Sequence, residues 1–127
     1  MGPVQLFNLV SQHNHWLSVR QSAIATNVAN VNTPGFKALE VKPFHAVLDG
    51  LALNLSVTSE RHMTPSEAAE LQASEGGDQE GAQVLHSGNT VALEQEMMKA
   101  GEVNRAFALN AGVMKAYYRM LLASAKG

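Results

Sequence analysis

The last third of the chain carries an apolar stripe that fits a long α-helix. Residues at alternating spacings of four and three form this stripe, and nine of its ten members are apolar. Such a stripe lies along one helix face and is the pattern by which helices pair in coiled coils. We therefore predict a C-terminal helix over residues 90–127. The stripe consists of Leu93, Met97, Ala100, Asn104, Phe107, Ala111, Met114, Tyr118, Leu121 and Ala125.

Several residues of this predicted helix have a more specific interpretation. Thr90 suits the N-cap, and Glu94 and Glu96 lie near the positive end of the helix dipole. Gly101 and Gly112 each weaken a helix by about 1 kcal/mol relative to alanine, which we interpret as the close approach of a neighbouring backbone. Asn104 interrupts the apolar stripe. A lone asparagine in such a seam either is tolerated at its edge or sets the register of pairing.

A second helical pattern occupies residues 4–31, and we assign residues 1–33 to an N-terminal helix. Pro3 fits its first turn, where the missing N–H costs nothing. Asn14 and Gln21 fill two polar positions of the heptad register. The apolar positions, spaced by three, seven, seven, four and three residues, are Phe7, Val10, Leu17, Ile24, Val28 and Val31.

The helical signal is lost between the two patterns, over residues 34–89. The alternation in LALNLSVT, from Leu51 to Thr58, favours a short strand, whereas ASEGGDQEGAQ has the composition of a flexible loop. The predicted fold is mainly α: long N- and C-terminal helices form an antiparallel, coiled-coil-like pair, and the middle is irregular and partly flexible. Two helices alone bury little apolar area, so we expect the seams to need partner subunits.

The stretch NVANVNTPGFKA, which starts at Asn27, predicts a sharp stop for the first helix. Pro34 disfavours helical geometry at Thr33, so the helix ends by about Asn32. Pro34 and Gly35 suit the central positions of a type II turn, because glycine accepts a positive φ.

Composition and charge restrict the function classes. The chain has no cysteine, which excludes disulfides and thiolate chemistry, and its net charge of −2 gives no overall attraction to nucleic acid. No stretch is long and apolar enough to span a bilayer, and no cleavable signal peptide is recognisable. Residues 60–86 hold six acids and one base, so net −5, while residues 99–127 hold five bases and one acid, so net +4.

The candidates for catalysis or metal binding are weak. His13 and His15 are two residues apart, and on a helix such side chains point in different directions and do not share a metal. Glu94 and Glu96 diverge for the same reason, so they do not converge on one substrate. We predict no enzyme activity, no cofactor and no metal site. A metal hydrolase that uses His13 or Glu94 is a minor alternative.

IATNVANVNTPGFKA resembles the N-terminal signature of the bacterial flagellar rod and hook family. Phe36 stands where tyrosine is common in that signature. SGNTVALEQEMMKAGEVNRAF resembles the entrance to the terminal helix in the short B-type proximal rod members of this family. The N-terminal match comprises Asn27, Ala29, Asn30, Thr33, Pro34, Gly35, Phe36 and Lys37, and the C-terminal match comprises Gly88, Asn89, Thr90, Val91, Leu93, Glu94, Glu96, Met97, Asn104 and Phe107.

The resemblance implies a structural subunit of the basal-body rod that polymerises through its terminal helices, which form the inner layer of a torque-transmitting drive shaft. It implies a location in the periplasmic rod and export without a cleaved signal peptide. The implied partners are copies of the chain, other rod proteins, the ring-to-rod adaptor and the flagellar type III export apparatus, with neither nucleic acid nor membrane integration. The alternative is a small coiled-coil adaptor or export chaperone. The expected assembly seam comprises Phe7, Val10, Leu17, Ile24, Val28, Leu93, Met97, Asn104, Phe107, Met114, Tyr118 and Leu121.

Overall fold

The computed structural model describes residues 2–55, 74–75 and 88–127, and most of them are helical. The elements in chain order are α1 (Pro3–Ala29), β1 (Leu39–Glu40), α2 (Phe44–Leu55), β2 (Ser74–Glu75) and α3 (Leu93–Lys126). The two long helices have 27 and 34 residues. Pro3 occupies the first turn of α1, as predicted.

Helices α1 and α3 pack side by side and run in opposite directions. Their contacts advance in opposite order: Arg20 of α1 pairs with Glu102 of α3 at 3.0 Å, and Phe7, near the start of α1, stacks edge-on against Tyr117 with 5.7 Å between ring centroids. The antiparallel helix pair predicted from the two stripes is therefore confirmed.

The core lies between the two long helices, with α2 packed against its side. Leu17 and Ile24 of α1 and Val103 of α3 are buried, and Val103 has no exposed surface. Trp16 contacts Phe44 at the start of α2, with 5.8 Å between ring centroids, and donates its indole N–H to the Lys42 carbonyl at 2.7 Å. Those contacts attach the segment that follows the turn to the outer side of α1.

The predicted strand at Leu51–Thr58 is wrong over residues 51–55, which form the last part of α2. The physical reason is a second periodicity in the same stretch. Apolar residues at positions 44, 47, 48, 51 and 55 follow the helical spacing of three and four. Residues 56–58 lie outside the described part of the chain. Among the described residues, strands β1 and β2 pair antiparallel, with Leu39 opposite Glu75.

Two further expectations about α3 need correction. The helix begins at Leu93 with Ala92 at the N-cap position, so Thr90 is not its N-cap. The Thr90 hydroxyl instead accepts a hydrogen bond from the Ala38 N–H at 3.0 Å. An added Cβ at Gly101 or Gly112 would meet nothing within 4 Å among the described atoms, so the expected close backbone approach is not made within this chain.

No helix in the described part of the chain combines the length and apolarity that crossing a membrane requires.

We call the antiparallel pair of α1 and α3 the hairpin. Its packing can be tested by comparing Leu17, which is 1% exposed, with Leu109 of α3, which is 67% exposed. Leu17→Ala leaves a cavity between the helices, so we expect it to lower the free energy of unfolding by about 3 kcal/mol. Leu109→Ala removes an exposed side chain and should change it by less than about 0.5 kcal/mol. Urea unfolding followed by circular dichroism measures both, and equal effects would contradict the described register of the hairpin.

Candidate functional site

The turn after α1 has the geometry that Pro34 and Gly35 predict. The Phe36 N–H donates to the Thr33 carbonyl at 3.3 Å, which makes Pro34 and Gly35 the central pair of a β-turn. Gly35 has a φ of +72°, the value that a type II turn requires at its third position. The helix ends at Ala29, a few residues before the predicted limit. Thr33, Pro34, Gly35 and Lys37 are exposed.

Asn27 is fully buried and holds the chain after the turn against α1. Its side-chain oxygen accepts from the Leu39 N–H at 2.7 Å, and its amide nitrogen donates to the Leu39 carbonyl at 2.9 Å. The same nitrogen donates to Glu96 Oε2 at 3.1 Å. The Asn27 amide thus bonds to Leu39 as a neighbouring strand would. Through Glu96 it also links α1 and the segment around Leu39 to α3.

Asn89, just before α3, caps the end of α1 from a distant part of the sequence. Its amide nitrogen lies within hydrogen-bond distance of the carbonyls of Asn30, Val31 and Thr33, at 2.9, 3.1 and 2.7 Å. Its side-chain oxygen accepts from the Val91 N–H at 2.8 Å. Backbone carbonyls outside regular helices and strands need partners of another kind, and Asn89 supplies one for the turns that directly follow α1.

Backbone contacts bring the two sequence motifs together at the same place. The Thr90 N–H donates to the Phe36 carbonyl at 3.1 Å. Gly88 also has a positive φ, +74°, and a Cβ added there would lie 3.8 Å from the Gly35 Cα. We call this junction of residues 27–39 with residues 88–96 the clasp, because it fixes where the chain leaves α1 and where it enters α3.

An ion-pair group lies beside the clasp. Glu96 is fully buried, and its Oε1 lies 3.1 Å from Lys99 Nζ. Lys99 also pairs with Glu40 of β1. A buried carboxylate is costly unless charge and hydrogen bonds compensate it. Glu96 has both, from Lys99 and Asn27, so it belongs to the fold and does more than support the helix dipole.

The seam residues predicted for α1 mostly face α3. Val10, Leu17 and Ile24 are buried, and Val28 packs against the core from its edge. Phe7 is more exposed, although its ring contacts Tyr117.

The face of α3 that packs on α1 is not centred on the predicted stripe. Its buried residues are Glu96, Val103 and Asn110, which are seven apart. Of the predicted stripe, Ala100, Phe107 and Met114 are half-buried at the margin of this face, and the remaining members are exposed. Those exposed members are Leu93, Met97, Asn104, Ala111, Tyr118, Leu121 and Ala125.

Asn110 makes the polar contact within the hairpin that the sequence suggested for Asn104. The Asn110 amide lies 2.8 Å from His13 Nδ1 and donates to Asn14 Oδ1 at 2.8 Å. Asn104 itself is exposed. A polar pair inside an apolar seam favours the register that satisfies it, so Asn110 and Asn14 fix how far α3 slides along α1.

The heptad line through Glu96, Val103 and Asn110 was not predicted from the sequence, because two of its three members are polar. The signal was the same seven-residue spacing, partly filled by groups that satisfy each other across the hairpin. Asn89 was matched as a motif residue, but its role depends on contacts 56 to 59 residues away in the chain. Such contacts leave no local pattern.

His13 and His15 do not converge on a metal site. His13 stacks on Trp16 with 5.7 Å between ring centroids, and His15 is exposed. Among residues 2–55, 74–75 and 88–127, no three His, Asp or Glu side chains are grouped so as to hold a metal ion.

Comparisons with a family model and with known proteins both find flagellar basal body rod proteins. Residues 16–37 match the family model described as flagella basal body rod protein. The flagellar basal body rod protein FlgB of Agrobacterium fabrum (strain C58) is 41% identical over 131 residues, which cover 99% of this chain and 96% of the relative. FlgB of Buchnera aphidicola subsp. Baizongia pistaciae is 37% identical over 59 residues, 41% of this chain and 43% of that protein.

The clasp makes a prediction for Asn27. Asn27→Ala leaves both backbone groups of Leu39 without this partner and removes a donor from Glu96, so we expect a loss of about 3 kcal/mol in the free energy of unfolding. Asn8, an exposed asparagine on the same helix, provides the control, and Asn8→Ala should change stability by less than about 0.5 kcal/mol. Denaturant unfolding compares the two; similar losses would argue against the clasp.

The turn makes a prediction for Gly35. Gly35→Val places a β-branched residue at a φ of +72°, which should strain the backbone by about 2 kcal/mol. Gly50 of α2 is the control: a Cβ at either glycine meets nothing within 4 Å, but Gly50 has no positive φ. We expect Gly35→Val to lower the thermal midpoint and Gly50→Val to leave it nearly unchanged. A midpoint unaffected by Gly35→Val would contradict this turn.

Proposed function

Because this chain belongs to the family of flagellar basal body rod proteins, and is therefore a structural subunit of the basal-body rod, we propose that it polymerises through the faces of its long helices that the hairpin leaves exposed. The observation that carries this proposal is the exposure of seven of the ten stripe residues on α3. The hairpin itself accounts for a different face of that helix.

The exposed stripe has the spacing of a second coiled-coil seam. Leu93, Met97 and Tyr118 are apolar residues that expose 45%, 63% and 59% of their surface. They belong to a pattern of four and three that runs the length of α3 without a slip. Regular exposed apolar patterns of this kind mark interaction surfaces. A helix from a neighbouring subunit, packed in this seam, would turn the two-helix hairpin into part of a larger helical layer.

Asn104 takes a defined role in this arrangement. It is exposed in the single chain, on the stripe that we assign to the neighbour. An asparagine that becomes buried in a helical seam favours the partner and register that satisfy its amide. We propose that Asn104 selects the register between subunits, while Asn110 and Asn14 select the register within one.

The division of the chain follows from this assignment. Residues 1–33 and 90–127 contribute the inner helical layer of the rod, and residues 34–89 form the segment between them. The chain leaves the layer at the turn after Thr33 and enters it again after Gly88. The clasp supports the division, because Asn27 and Asn89 hold the exit and the return together. A subunit in an open helical stack makes different contacts above and below, so a fixed exit direction matters for every copy.

We further propose that the partners are copies of this chain, other rod proteins and the ring-to-rod adaptor. The rod subunit reaches its place in the periplasm through the flagellar type III export apparatus, without a cleaved signal peptide. We also propose that the chain is not an enzyme. The side chains with acid–base capacity around the clasp support that view, because Glu96, Lys99 and Glu40 are engaged with one another.

Paired substitutions on two faces of α3 test the seam. We expect Met97→Glu with Tyr118→Glu to abolish rod assembly, because charges would enter the apolar contact between subunits. Met98→Glu with Leu109→Glu is the matched control: these side chains are similarly exposed, at 69% and 67%, but lie outside the stripe. Complementation of motility in a strain that lacks the rod gene measures assembly, and circular dichroism checks that both variants keep their helices.

Two outcomes would contradict the proposal. Normal motility in the variant that combines Met97→Glu with Tyr118→Glu would show that the stripe is not a contact between rod subunits. If the native chain stayed in a small complex at high concentration and never joined larger assemblies, that would favour an adaptor or chaperone over a polymerising subunit.

A further inference from the structure

We propose that the part of α3 that follows Gly112 binds the surface of an anionic phospholipid membrane and lies on that surface without crossing it. This goes beyond the role in the rod, and a different set of side chains carries it. The relevant segment, VMKAYYRMLLASAK, combines exposed bases with exposed apolar groups on adjacent lines of one helix.

The charges on this part of α3 are all positive. No Asp or Glu follows Glu102 in the sequence. Lys115, Arg119 and Lys126 are four and seven residues apart, so they lie along one side of the helix. All three are exposed, and the ion pairs found within the described residues involve other bases, Arg20 and Lys99. This line of positive charge is therefore available to an external anion.

An apolar line runs next to the basic one. Tyr118 lies three residues after Lys115 and Leu122 three residues after Arg119, so each is a neighbour of a base on the helix surface. Their exposed fractions are 59% and 43%. Tyrosine suits the boundary between water and lipid, since its ring is apolar and its hydroxyl is polar. Lysine and arginine can bury their aliphatic stems and keep their charges at the headgroups.

The uniform sign of the charge suits an anionic lipid surface. Residues 113–126 contain three bases and no acid, so every charge on this segment is attracted to anionic headgroups. The chain as a whole has a net charge of −2, but charges beyond about 10 Å are largely screened at ordinary salt. An anionic surface would therefore respond to the local bases. A basic, apolar helix of this kind is typical of interfacial binding.

The two proposed contacts of α3 overlap, because the segment after Gly112 also contains Met114, Tyr118, Leu121 and Ala125 of the stripe. Tyr118 belongs both to the seam assigned to a neighbouring subunit and to the lipid-facing patch. A subunit bound to a membrane through this patch would have to leave it before packing along the seam. The patch is thus a contact of the chain before it joins an assembly. Lys115 and Arg119 lie outside the seam, so the lipid contact can be tested separately.

The test is flotation of the full chain with two kinds of vesicle, phosphatidylcholine alone and phosphatidylcholine mixed with phosphatidylglycerol. We expect binding to the mixed vesicles only, and weaker binding as salt is raised. Lys115→Gln with Arg119→Gln should reduce that binding about 30-fold, from the usual contribution of each base near an anionic surface. Lys42→Gln with Arg105→Gln removes the same charge from exposed positions elsewhere and should bind as the native chain does.

A second pair of variants tests the apolar line. Leu122→Ser should weaken binding to the mixed vesicles, and Leu109→Ser, at an exposed position outside the patch, should not. Circular dichroism confirms that each variant keeps its helices. The proposal is overturned by equal binding to both kinds of vesicle, by no binding, or by equal losses in the two charge variants. It is also overturned if the Lys115 and Arg119 variant loses self-association while the native chain binds no vesicles, because the patch would then belong to a protein partner.

Discussion

The structure depends on one buried side-chain amide, that of Asn27. A helix that ends in a sharp turn leaves the following chain free to depart in many directions. Asn27 limits this freedom by offering its oxygen and nitrogen to the N–H and carbonyl of Leu39. Its additional bond to Glu96 makes the same residue a link to α3. Because buried polar groups are costly when unpaired, the three segments are favoured together or not at all.

Asn89 makes corresponding contacts from the segment just before α3. It covers carbonyl groups after α1 and positions the approach to α3 through Val91. The two asparagines therefore explain why two motifs about sixty residues apart occur in one small protein. Neither motif is complete alone, because each supplies the hydrogen-bonding partner that the backbone of the other lacks.

In the hairpin, two neighbouring faces of α3 have different surroundings. One face, with Val103 at its centre, closes the core against α1. The neighbouring face carries most of the apolar stripe, which is exposed except at Ala100, Phe107 and Met114. This exposure suits a subunit that completes its packing in a helical assembly. A two-helix hairpin offers little buried area of its own. Its exposed stripe is therefore consistent with the role of a rod subunit.

The sequence by itself determined the two long helices and the turn, because these follow from local rules: heptad spacing, the backbone restriction of Pro34 and the positive φ that Gly35 accepts. The antiparallel pairing was predicted from the two apolar stripes at the two ends of the chain. The sequence favoured a strand at residues 51–55, where helical spacing prevailed. Only the tertiary structure decided which face of α3 meets α1, since two overlapping heptad lines compete and the chosen one is partly polar. It also decided that Thr90 bonds to Ala38 and that Asn89 covers the end of α1. Those roles depend on contacts between residues far apart in the chain. Such contacts leave no periodic pattern in the sequence, so local rules do not predict them.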